Sequence, residues 1–545
     1  MEDKKDEKKK DLNKINKINV IKEESKKTIF ESLTEGWDKE YKDDEVPEYL
    51  KEIRLCVIGN VDSGKSTLVG CLTKGIKDDG RGYARKFVFN YQHETESGRT
   101  SSIAEEIIGF RNGKMIYGTR LTEKKNVSWK DISSQSDHVI TFLDLCGHEK
   151  YLKTTMYGVS ALLPHYGCIL IGTNMGVQRM TKEHLGIVIS LGIPFFIVFT
   201  KIDIAPKEVK EKTINTFTSL LKTGLQKTVL NIKTGEDAKF AAEKILDGNI
   251  VPTFQVSTVT GEGIEELKSF LSNLSPKFPT NNDFCILKTP KDKVEMLLDN
   301  AFNTKVGCIH AGVLISGKIE VNQKLLLGPT IDGDFKPVQV REIEFLRVKV
   351  NELCCGNSCS VKLKSLDKNF EISTAGFRKG MVLVDPDTKL EPTLEFEVEA
   401  QIVHHSSTIK IGYQSVVHCH VIRQTCTIVE MDKEFLRAGD KGLIKFKFIK
   451  KPEYMHVGDT ILFREGRTRG KGKIVKIFPI DINSFNKEKK GNTKKMNSQK
   501  PKIVEDKKDK DNNGGEKWKK RNLKYQNKNK EIQNNEDNKN KKNEG

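Results

Sequence analysis

No long apolar run occurs anywhere in these 545 residues. The most hydrophobic stretch, "GIVISLGIPFFIVF", is broken by Gly192 and Pro194 and is too short to span a bilayer. It predicts a helix end, a tight turn and a buried parallel strand, and no membrane partner is expected. The first forty residues also lack the apolar core of a secretory signal, and acids enter at Glu2 and Asp3, against a mitochondrial leader. The eleven cysteines show no paired framework. Cys56 and Cys168 lie inside apolar runs, as small core residues do in a reducing compartment, so a cytoplasmic protein is expected. The cluster "CCGNSC" (Cys354, Cys355, Cys359) has no second pair at zinc-site spacing and reads as loop or core thiols.

What is present in excess is charge, and it is unevenly placed. The whole chain carries a net +18, and residues 484–545 hold 20 Lys/Arg against 10 Asp/Glu, more than half of that excess. This tail is rich in Asn, Lys and Gln, and the opening "MEDKKDEKKK" is similar. Neither segment can bury enough apolar surface to offset the entropy of ordering, so both termini are expected to be disordered. The remainder is too long for one core.

The run "IRLCVIGNVDSGKSTLVGCL" combines a β-branched strand, a loop and an apolar helix. The pattern Gly59-x-x-x-x-Gly64-Lys65-Ser66 fits a phosphate-binding loop. The loop from Gly59 through Asn60, Val61, Asp62 and Ser63 to Thr67 would aim backbone N–H groups at phosphate oxygens. Lys65 would reach the β- and γ-phosphates and Ser66 would bind Mg²⁺. An ordinary glycine-rich turn is the plain alternative; the strand before and the helix after weigh against it.

Base choice is read further on, in "FFIVFTKIDIAP". A carboxylate at Asp203 can accept both donors of the guanine edge, where adenine offers neither. Lys201 would lay its stem over the ring. Thr200-Lys201-x-Asp203 resembles the Asn-Lys-x-Asp motif of GTPases, with threonine in place of asparagine and still able to bond toward the phosphate loop. In "QVSTVTGEG", Ser257, followed by Thr258, resembles the last guanine-binding loop. Asp144, ending the strand "HVITFLD", resembles the GTPase Asp-x-x-Gly acid, which holds Mg²⁺ through water. The Gly147 N–H would face the γ-phosphate, and His148 would stand where a water-orienting group is needed.

Asp-x-x-Gly-His together with "GNVDSGKST" resembles the translational GTPases of the elongation factor Tu and elongation factor 1-alpha class. The segments "DDGRGYAR", "ESGRTSSI", "GHEKYLKTT", "MTKEHLG", "EFEVEAQIVHHSSTI" and "LFREGRTRGKGKIVKI" narrow this to the GTP-binding protein 1 and 2 subgroup. The resemblance runs from about Ile53 to Ile477. It implies GTP/GDP and Mg²⁺ as ligands, with Thr100 completing the metal shell only while the γ-phosphate is present; Ser101 is the nearest competitor for that role. It also makes Val61 one apolar gate before His148. Two departures from the elongation factors stand out. Arg99 replaces the isoleucine of the other gate half, leaving the gate half open or bringing charge to the γ-phosphate. Cys146 replaces the proline before Gly147.

From about 282 to 480, short strand-like runs alternate with Gly, Asn, Asp and Pro, which predicts antiparallel barrels. With the resemblance, the expected fold is an α/β P-loop GTPase domain followed by two antiparallel β-barrel domains. The expected divisions are an N-terminal segment 1–48, a GTP-binding domain 49–278, barrels at 279–392 and 393–483, and the basic tail 484–545. The polar insert around 111–137 reads as a surface hairpin or loop. His418 and His420 are expected on one face of a strand, as satisfied barrel histidines without a third metal ligand. In the tail, Trp518 and Tyr525 among lysines could stack on RNA bases, although a solvated extension is the plainer expectation. The expected function is a GTP-hydrolysing switch of translation, a monomer, working on the ribosome or with tRNA or mRNA. A GTP-dependent adaptor recruiting RNA-decay machinery and a poorly hydrolysing scaffold remain as alternatives.

Overall fold

The computed structural model describes residues 51–116, 118, 128–275, 292–305, 307–466, 468–481 and 485. The opening charged segment and the tail carrying Trp518 and Tyr525 therefore lie outside the described residues, apart from residue 485.

The first layer is an eight-stranded sheet. Its strands are β1 (Lys51–Gly59), β2 (Ala104–Arg111), β3 (Lys114–Ile116), β4 (His138–Asp144), β5 (Tyr166–Gly172), β6 (Phe195–Thr200), β7 (Thr228–Asn231) and β8 (Ile250–Gln255), in spatial order β3-β2-β4-β1-β5-β6-β8-β7. The strands from β4 to β7 in that order run parallel, and β2 and β3 join antiparallel at one edge. Every residue of β5 and β6 is buried, as expected of central parallel strands covered on both faces. The run "GIVISLGIPFFIVF" divides as its sequence predicts, with a helix ending at Ser190 and β6 beginning at Phe195.

Helices cover the sheet: α1 (Lys65–Lys74), α2 (Gln92–Ser97), α3 (Trp129–Ser134), α4 (Leu152–Ala161), α5 (Arg179–Ser190), α6 (Lys207–Ser219), α7 (Gly235–Lys244) and α8 (Ile264–Ser272). Leu68, Val69 and Leu72 turn one face of α1 into the core beneath β1, and the helix stops at Gly75 in the left-handed conformation. The polar insert begins as a hairpin, β2–β3, with Asn112 and Gly113 at positive φ in its turn. Residues 117 and 119–127 lie outside the described residues.

Two antiparallel β layers follow. In the first, β9 (Glu295–Thr304), β10 (Gly307–Ser316), β12 (Lys324–Gly328), β13 (Lys336–Phe345), β16 (Ser358–Ser365) and β17 (Val382–Val384) form a ring through the β12–β13 pairing. The short β14 (Val348–Val350) extends β13, and β11 (Lys318–Glu320) pairs with β15 (Glu352–Cys354). The second is a closed barrel of β18 (Thr393–His404), β19 (Gln414–Cys419), β20 (Ile422–Met431), β21 (Lys441–Phe448), β22 (Thr460–Glu465) and β23 (Thr468–Pro479). Buried and exposed positions alternate along β16 and β21, so one side of each strand fills the interior. Phe396, Phe446, Phe448 and Phe463 pack together in the closed barrel. Among the described residues no helix is long and apolar enough to cross a membrane.

One reading of the barrel residues is corrected. β19 stops at Cys419, and His420 occupies the following turn at φ 47, so His418 and His420 do not share a strand face. The His420 ring lies 3.3 Å from the Asp459 carboxylate, with Cys419 close by. That carboxylate also accepts the His456 N–H at 2.8 Å.

Buried ion pairs join the layers. Arg54 of β1 bonds Glu52 at 3.0 Å and the Gly356 carbonyl at 2.8 Å, while Glu52 accepts the Ser358 N–H and hydroxyl, each at 2.8 Å. Glu183 of α5 meets Arg464 at 3.1 Å and Arg469 at 2.5 Å. Arg378 and Glu453 pair at 2.5 Å between the two β layers.

Candidate functional site

The loops that follow β1, β4, β6 and β8 all emerge at the carboxyl ends of parallel strands. β1 lies between β4 and β5, where the chain reverses its direction across the sheet, and such a switch point opens a crevice. A cleft of about 420 Å³ lies there. Val61, Asp62 and residues 64–67 line it, with residues 98–100, Gly147, His148 and Arg85.

The phosphate loop is held by its own side chains. Ser63 Oγ donates to the Asn60 carbonyl at 2.9 Å, and Lys65 Nζ donates to the same oxygen at 2.8 Å. Burial lowers the Lys65 pKa, against the opposing pull of Asp144. Gly147 closes the far wall. A Cβ there would stand 2.5 Å from Lys65 Nζ and 2.8 Å from the Asn60 carbonyl, so no larger residue fits.

Three oxygens meet below Lys65. Ser66 Oγ donates to Asp144 Oδ2 at 2.5 Å and lies 2.8 Å from Thr100 Oγ1, which is 3.5 Å from that same carboxylate oxygen. Asp144 is fully buried; burial pushes its carboxyl up to about 6, offset in part by Lys65 and by the Ser66 hydroxyl. Its second oxygen, Oδ1, is buried with no hydrogen-bond partner among the described residues. A carboxylate with an orphaned oxygen beside two hydroxyls is a hard-oxygen donor set that suits Mg²⁺.

Thr100 is placed by a residue that motif reading missed. Glu94 of α2 is fully buried. Its Oε1 accepts the Ser101 N–H and hydroxyl at 2.6 and 2.8 Å, and the Ser102 N–H and hydroxyl at 2.9 and 3.1 Å. Its Oε2 accepts the Asn90 N–H at 3.0 Å and the Tyr91 N–H at 3.3 Å, capping the helix on which it sits. Ser101 is thus tied to Glu94, and Thr100 is the residue that faces Ser66. No local pattern in the sequence points to these loop contacts.

His148 is half-buried at the cleft, opposite the phosphate loop that carries Val61. Its Nδ1 accepts the Lys150 N–H at 3.1 Å. In the neutral ring that bond assigns the proton to Nε2.

The residues expected to read the base lie at the end of β6 and on the loops after β6 and β8, outside the lining of the cleft. Thr200 is buried and its hydroxyl donates to the Ser63 carbonyl at 2.7 Å. Thr173 Oγ1 in turn donates to the Thr200 carbonyl at 2.8 Å. Lys201 takes a left-handed backbone, φ 60, and Asp203 is exposed. Ser257 is buried; its Oγ accepts the Thr260 N–H at 3.1 Å and the Val259 N–H at 3.3 Å, folding the turn that carries Thr258. The Thr258 carbonyl accepts the Asp78 N–H at 2.9 Å. Arg99 lines the cleft but is exposed, whereas Arg85, unassigned by any motif, is half-buried beside it.

Residues 51–277 match the model of the elongation factor Tu GTP binding domain. The chain is 39% identical to GTP-binding protein 1 of Xenopus laevis, over 83% of this chain and 67% of that one. It is 37% identical to GTP-binding protein 2 of Homo sapiens, over 79% of this chain and 70% of that one. Its fold resembles translation elongation factor SelB from Methanococcus maripaludis, solved with the GTP analogue GppNHp, with a TM-score of 0.56 and 19% identity over 81% of this chain and 82% of that one. The sequence relatives, rather than the fold alone, decide the family: this chain belongs to the GTP-binding protein 1/2 family, with an elongation factor Tu GTP-binding domain at its core.

Proposed function

We propose that the cleft binds GTP with Mg²⁺ and hydrolyses it to GDP and phosphate, and that the cycle serves as a translational switch in the cytoplasm. The meeting of Ser66, Thr100 and Asp144 beneath Lys65 is the observation that carries this reading. When bound, Mg²⁺ neutralises phosphate charge; Ser66, Thr100 and Asp144 would hold it. Lys65 donates to the β- and γ-phosphates. Gly147 keeps the γ-phosphate side open, and residues 59–67 supply N–H donors.

His148 orients the attacking water. With Nδ1 occupied by the Lys150 N–H, the neutral ring offers Nε2–H, so it donates to the water rather than removing its proton. The water oxygen bonds to the γ-phosphorus as the bond to the β,γ-bridging oxygen breaks. That electron pair leaves on GDP, and the water protons pass to the released phosphate and solvent.

Asp203 reads the guanine edge, Lys201 covers the ring, and Ser257 and Thr258 shape the loop beside it. Thr200 does the structural part of the missing asparagine by bonding the phosphate loop. We take residues 49–278 as the nucleotide domain, with 279–392 and 393–483 as barrels that present the switch to the ribosome or tRNA. The likeness in fold to a translation elongation factor supports a role in translation.

The test is GTP turnover with and without ribosomes, for the intact chain and His148→Ala. Ribosome-stimulated turnover lost in His148→Ala is expected. Equal binding of ATP and GTP, or guanosine preference surviving Asp203→Ala, would sink the proposal.

A further inference from the structure

We propose that Arg85 is a catalytic residue supplied by the chain itself: its guanidinium meets the γ-phosphate of GTP in the cleft and neutralises the charge that develops during transfer. This rests on reading the cleft as a GTPase site and adds a group that the phosphate-loop, Asp-x-x-Gly and Thr-Lys-x-Asp motifs do not contain.

Arg85 lines the same cleft as Lys65, Ser66, Thr100 and His148. It reaches that place on a built scaffold. The buried Asp78 carboxylate accepts the N–H groups of Gly80, Gly82 and Ala84 at 3.0, 3.1 and 2.9 Å, coiling the segment "DDGRGYAR" around itself. Ala84 packs so closely on α1 that a Cβ at Gly70 would stand 2.2 Å from its carbonyl oxygen. The base of the arginine is therefore fixed to the helix that follows the phosphate loop.

The guanidinium is gripped as well. Arg85 Nη1 donates to the Gly98 carbonyl at 3.2 Å. A Cβ at Gly82 would lie 2.4 Å from Arg85 Nε, and one at Gly98 2.9 Å from Nη2. Two glycines on separate loops leave the space that the planar head fills. Gly98 lies two residues before Thr100, so the loop that brings Thr100 to Ser66 also positions the arginine. The catalytic cation and the metal-facing threonine are placed together.

Its charge is the remaining argument. Arg54, Arg378 and Arg464 are each paired with a buried carboxylate. Among the described residues no carboxylate lies within ion-pair distance of Arg85. A half-buried, gripped and uncompensated guanidinium beside a phosphate loop is suited to an oxyanion. Arg99 shares the cleft, but it is exposed and has no such grip.

The experiment is single-turnover GTP hydrolysis by the full chain, with GDP and GTP affinities measured by a fluorescent nucleotide. Arg85→Ala is expected to slow hydrolysis about 10- to 100-fold, less than the ~10³–10⁵ of a full arginine finger, while GDP affinity stays within about 3-fold. Arg85→Lys should recover little, because it keeps the charge but loses the fork. Guanidinium ion added to Arg85→Ala should restore part of the rate. Should Arg85→Ala unfold, Arg85→Lys and Arg85→Gln carry the same comparison. A wild-type rate in these variants, or equal losses of GDP and GTP affinity with an unchanged rate at saturation, overturns the proposal. A wild-type chain that turns over no GTP overturns the reading of the cleft itself, which distinguishes the two failures.

Discussion

The Thr200 hydroxyl donates to the Ser63 carbonyl across 2.7 Å, tying the loop after β6 to the phosphate loop. An asparagine is the usual residue of the resembled motif, yet the bond needs only one donor at the right height. Thr200→Val removes that donor at constant shape and leaves a buried carbonyl with one partner fewer, a cost of about 1–3 kcal/mol. GTP and GDP affinities are expected to fall together, roughly 10-fold, in a nucleotide titration, and Thr200→Asn should retain them. Selective loss of GTP binding alone would contradict this.

Glu94 should act differently, because it holds the loop rather than the nucleotide. Glu94→Ala frees four donors of Ser101 and Ser102 and releases Thr100 from Ser66. GTP affinity is expected to drop about 10-fold or more while GDP affinity changes little. Limited proteolysis should then cut around residues 98–102. An unchanged GTP-to-GDP ratio would show that this loop is not coupled to the γ-phosphate.

The Glu52–Arg54 pair links β1 to the first β layer with almost no solvent exposure. Removing one member leaves a buried charge unpaired, so Glu52→Ala should lose ~3–5 kcal/mol of stability. Replacing both residues by apolar ones of similar size should cost much less. Urea unfolding of the two single variants and the double one measures the coupling. Additive losses would argue against the pair as a unit.

Acid should destabilise the fold through its buried histidines. Burial lowers His184 and His418 to about 3 and His310 to about 4, and holds His165 well below its ordinary value. These groups are depressed in the folded state, so their stability is present above about 6.5 and is lost as pH falls toward 3–4. Within that window each costs about 1.4 kcal/mol per unit of pH. Thermal melts from pH 7 to pH 5 should show a steep fall, made shallower by His184→Gln. An identical slope in that variant would remove His184 from the account.

Much of the cleft was legible because its parts are local. A strand, Gly59, Gly64 and Lys65 at fixed spacing leave the backbone few choices, and the described structure has β1, the loop and α1 in that order. Asp144 at the end of β4 and Thr200 at the end of β6 follow from short apolar runs that stop at polar residues. Arg85 and Glu94 had no such signal. Each sits in a polar segment that reads as loop, and its importance lies in contacts to Gly98, Ser101 and Ser102 made by the folded chain. His420 was misread for a related reason: alternation along "HCH" suggests a strand, but the hairpin turns one residue earlier, after Cys419.

The amino-acid order alone determined where a glycine-rich loop could join a strand to a helix and which strands would be buried. These outcomes depend on dihedral preference and apolar spacing over a few residues. Tertiary packing decided the rest: which arginine is gripped, which threonine faces Ser66 and which acids are paired across layers. Those choices are set by close approach between segments far apart in the chain, where a single Cβ or one unpaired buried charge excludes the alternatives.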